Sequence, residues 1–110
     1  MTAAKTTADE FAAAVGKLVG QISHWTPSRW AASSRAARLH DLVQQLADRT
    51  ADAEGQPRRA VPRLDNDLAL PDQLRVVAAD TVTAGAADET ALALVQAIRH
   101  AYFGAERRLR

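Results

Sequence analysis

Three histidines, His24, His40 and His100, are the groups in this sequence best suited to hold a metal ion or move a proton. A metal site on one helix needs two of them four residues apart, and no pair has that spacing; the three fall on three different segments. His40 is followed directly by Asp41, but adjacent residues on a helix point apart, so they do not form a dyad. The densest acidic group, Asp65, Asp67 and Asp72, lacks the regular ladder, central glycine and closing glutamate of a calcium loop. It reads as a solvated loop followed by a helix start. Ser28, Ser33 and Ser34 share a segment with no companion base, and there is neither a phosphate-cradling Gly-Lys-Ser/Thr loop nor a Gly-x-Ser-x-Gly elbow. The lack of cysteine removes disulfides, thiolate metal sites and thiol nucleophiles together, and suits a reducing compartment. No catalytic, metal-ligating or cofactor-binding residue is assigned, and no cofactor is expected.

Two groups could bind something without transforming it. Arg58, Arg59 and Arg63 lie on an apparent loop, where guanidinium forks can grip phosphate or carboxylate oxygens; the plainer reading pairs them with nearby Glu54, Asp65 or Asp67. Trp25 and Trp30 supply most of the large aromatic area. Tryptophans anchor many protein interfaces, but this pair also sits at the two positions of a hydrophobic staple.

The elements that must carry these groups are all helical. A first helix is expected over 7–23, opened by a Thr7-Ala8-Asp9-Glu10 capping box and striped by Phe11, Val15, Leu18, Val19 and Ile22. A second runs over 27–54: Thr26 is its N-cap, Pro27 its first residue and Gly55 its stop, with Leu39, Leu42, Val43 and Leu46 inward. Residues 55–70, with Pro57, Pro62 and the three arginines, form a long connection that Val61, Leu64 and Leu68 can anchor. A third helix over 71–84 begins at Pro71, turns Leu74, Val77, Ala78 and Val82 inward and ends at Gly85. A fourth over 88–108 starts from Asp88 and carries Leu92, Val95, Ile98, Tyr102 and Leu109 inward. Its last turn is basic, with Arg107, Arg108 and Arg110 complementing the helix dipole. No segment alternates in the manner of a strand.

This is the pattern of a small all-α, four-helix bundle-like domain, mostly antiparallel where links are short, with one long connection between helices 2 and 3. A flexible start over 1–6 precedes it. At 110 residues one domain is expected, since a core usually takes about 100 to 200 residues. Roughly half of the 47% hydrophobic content is alanine, so the core is thin and a partner surface is a natural way to complete it. The net charge of +1 disfavours a dedicated nucleic-acid binder, and no apolar run approaches a membrane span. No secretory signal is visible, so a cytoplasmic location is expected. The excess of arginine over lysine and of alanine fits a high-GC bacterial genome. The expectation is a non-enzymatic interaction protein that binds itself, as a homodimer for instance, or another protein. The alternatives are an anion or nucleic-acid module built on Arg58, Arg59 and Arg63, and a small metal-dependent enzyme using the histidines.

Overall fold

A computed structural model describes residues 6–108, and the side chains through Gly104. Residues 1–5, Leu109 and Arg110, and the side chains of Arg107 and Arg108, lie outside the described residues, and with them most of the expected flexible start and the basic last turn.

The described chain is all-helical: α1 (Thr7–Ile22), a single-turn α2 (Pro27–Ala31), α3 (Arg35–Glu54), α4 (Leu70–Thr83) and α5 (Glu89–Arg108). The cap of α1 sits one residue before the expected one. Two adjacent threonines precede two adjacent acids, and the frame used is Thr6 with Asp9, each side chain taking the other's backbone N–H at 3.1 Å. Gly55 and Gly85 close α3 and α4 at φ of 66° and 74°, and the next amides reach back to Ala51 and Thr81. Asp88 caps α5 by accepting from the Ala91 amide.

The expected second helix is broken. Thr26 and Pro27 start it as read, but Ser33 and Ser34 both adopt left-handed backbone, with φ of 53° and 59°, and turn α2 away from α3. For non-glycine residues this costs roughly 1–2 kcal/mol each. The physical reason is phase. Trp30 precedes Leu39 by nine residues, about 2.5 turns, so a straight helix would put the indole on the face opposite the inward stripe. The corner lets both be buried, Trp30 at 1% exposure and Leu39 at 0%.

The four long helices form two layers, α1 and α3 each packing on both α4 and α5. Residues 55–69 run back along α3, so α4 leaves in the same sense as α3, and Thr50 and Thr81 near the two helix ends share a buried hydrogen bond of 3.0 Å. α5 runs the opposite way: Asp88 before its start meets Arg49, and Tyr102 far along it donates to the Arg35 carbonyl at the start of α3. The core joins the stripe of α1 to Leu39, Leu42, Val43 and Leu46 of α3, Leu70, Leu74 and Ala78 of α4, and Ala91 and Val95 of α5. On α4 the expected inward Val82 is 38% exposed, and Thr81 takes the buried seat instead. A threonine can do so because its hydroxyl has both Thr50 and the Val77 carbonyl as partners.

Candidate functional site

The arginine-bearing connection is fastened by a polar stripe that recurs every fourth residue of α3: His40, Gln44, Asp48 and Asp52. His40 Nε2 lies 3.0 Å from the Val61 carbonyl. Gln44 acts like a neighbouring strand, accepting from the Val61 amide at 2.7 Å and donating to the Arg59 carbonyl at 3.0 Å. Arg58 forks onto Asp52 through two bonds of 3.0 and 2.7 Å, with Asp48 at 4.0 Å. This fork holds the Asp52 carboxyl below its usual range and pushes the Arg58 guanidinium higher. Arg63 pairs with Asp67 at 3.2 Å. The fastening is therefore mostly polar, while Leu64 and Leu68, expected as apolar anchors, stay exposed and Val61 is half-buried. Of the three arginines, Arg58 and Arg63 already have carboxylate partners. Arg59 borders an open groove of about 460 Å³, where Glu54 and Asp80 supply opposing charge.

Trp25 and Trp30 meet edge to face with ring centroids 4.8 Å apart, and Tyr102 adds a second edge contact at 5.0 Å from Trp25. Arg29 and Arg35 place their guanidinium carbons 5.1 and 5.3 Å from the Trp25 ring, and Arg35 also donates to the Arg29 carbonyl. Both tryptophans are buried, so in this conformation they are packing groups and offer no ring face to a partner. The indole N–H of Trp30 is buried with no hydrogen-bond partner among the described residues. Burial raises the Tyr102 hydroxyl well above its usual range, against the lesser pull of Arg38 and Arg35.

The three histidines lie on different parts of the fold: His40 on the fastening stripe, His24 exposed after α1, and His100 exposed on α5. Among the described residues no three His, Asp or Glu side chains are grouped to hold a metal ion, and no helix is long and apolar enough to cross a membrane.

A feature absent from the sequence reading lies between α1 and α4. A groove of about 360 Å³ runs there, with Val15, Val19 and Ala78 below and Gly16, Gly20 and Val82 along its edges; Arg75 lends it charge. At the rim of this groove Val82 is 38% exposed. Gly16 and Gly20 are one helical turn apart, and a Cβ built at either would meet nothing within 4 Å. Each glycine inside a helix costs roughly 0.5–1 kcal/mol relative to alanine. Packing among the described residues needs neither.

No family model, curated protein or solved structure matches this chain. What the α1/α4 face can do follows from its shape and chemistry. It brings no nucleophile beside a base, and it presents a shallow apolar channel whose glycine edge lets another backbone approach closely.

Proposed function

We propose that this chain is a non-enzymatic helical interaction protein whose contact surface is the α1/α4 face, and that its occupant is a helix of a second copy. The observation that carries the reading is the pair Gly16 and Gly20. Two helix-interior glycines weaken α1 by about 1–2 kcal/mol together without relieving any contact among the described residues. That expense is offset if a partner helix packs over them. Beside them Val82 is an exposed apolar side chain that association would cover, and the alanine-rich core leaves the monomer reason to gain buried area from a partner.

Sedimentation over a concentration series tests this. The wild-type chain is expected to self-associate, and Gly16→Leu with Gly20→Leu to be monomeric while retaining its helical spectrum. A wild-type chain that stays monomeric to its solubility limit removes the self-association. If that monomer then takes up a foreign amphipathic helix, and the leucine variant does not, the face is a docking site for another protein instead.

A further inference from the structure

The corner between α2 and α3 is sharp although Ala31-Ala32-Ser33-Ser34-Arg35-Ala36-Ala37 has no glycine, proline, asparagine or aspartate and only the weaker turn formers Ser33 and Ser34. Its local preference is a continuous helix, yet two successive serines hold left-handed backbone. A second, independent observation points the same way. Seating Trp30 in the core leaves its indole N–H buried and without a hydrogen-bond partner among the described residues. Against these stand the burial of Trp30, its edge contact with Trp25, and the Arg35 bond to the Arg29 carbonyl, which spans the corner. Local preference and tertiary packing are thus opposed at a single point.

We propose that this corner is a sprung hinge: the chain exchanges between the bent form and one in which residues 27–54 make a single helix and Trp30 leaves its seat. Because Trp30 and Leu39 are about half a turn out of phase along a straight helix, α3 can keep its inward stripe only by turning the indole to solvent. The bent form hides the tryptophan, and the straight form presents it, with its N–H free to meet an acceptor. α2 also packs on the turn at Asp67–Ala69, which release would uncover.

Two double variants push the hinge in opposite directions. Ser33→Ala with Ser34→Ala favours the straight helix by about fivefold on helix propensity alone. Ser33→Gly with Ser34→Gly eases the left-handed backbone and disfavours the helix, shifting the balance toward the bent form by about thirtyfold or more. In a Trp25→Phe background, where Trp30 is the sole indole, acrylamide quenching is expected to rise in the alanine pair with helical content held or increased, and to fall in the glycine pair. Hydrogen exchange of the α2 amides should be slower in the glycine pair, with α3 amides unchanged, which serves if the alanine pair folds poorly. Equal quenching and equal α2 exchange in all three proteins overturns the hinge. So does a rise in quenching accompanied by lost helix, which is unfolding and not straightening.

Discussion

At the scale of single residues, the titrating groups set the two ends of the stability range. Asp52 is held low chiefly by the Arg58 fork, and Asp88 chiefly by the Ala91 amide with Arg49 helping. A carboxyl depressed in the folded state stabilises above its unfolded value of about 3.9 and loses that contribution as pH falls through the folded value. Stability should therefore decline below about pH 4, and Asp88→Asn, titrated by thermal melts, should show a shallower decline. Tyr102 is the opposite case. Its hydroxyl is raised by burial, so its contribution is complete below about pH 10 and is lost above it. Tyr102→Phe should remove roughly 1 kcal/mol at neutral pH, through the lost bond to the Arg35 carbonyl, and should flatten the loss above about pH 10. A variant with an undiminished alkaline loss would show that another group causes it.

At the scale of elements, the connection behaves as a strap because α3 offers it a row of partners. Gln44 matters most, since it satisfies both an amide and a carbonyl of the strap. Gln44→Ala leaves the part-buried Val61 amide unpaired and is expected to cost about 1–3 kcal/mol, with strap amides losing exchange protection before those of the core. Arg58→Ala should cost much less, because both it and Asp52 are largely exposed. The stripe His40-x-x-x-Gln44-x-x-x-Asp48-x-x-x-Asp52 was present in the sequence as a four-residue repeat. Its purpose was not legible, because a polar stripe on a helix usually faces water and only the returning chain turns it into a binding edge. The corner is different. The phase conflict between Trp30 and Leu39 could be counted from the sequence, but an N-cap and proline before an apolar stripe signal a helix start and say nothing of a break seven residues on.

For the whole molecule, the prediction concerns association. Gly16→Ala with Gly20→Ala should raise the melting temperature of the monomer, by removing two helix-interior glycines worth about 1–2 kcal/mol together, while weakening self-association. Opposite signs in melting and sedimentation distinguish an interface from an ordinary helix; a variant both more stable and equally associated would remove the glycine argument. The sequence by itself determined the all-helical class, the stops at Gly55 and Gly85, the starts at Thr26 and Asp88, and the inward stripes of α1 and α3, because caps, breakers and apolar periodicity act within a few residues of one another. Only the tertiary structure decided that Arg58 and Arg63 serve the strap, that the tryptophans are buried, that Thr81 displaces Val82 from the core, and that the two glycines border an open groove. Each of these depends on which side of a helix meets another, and that follows from contacts between residues far apart in the chain.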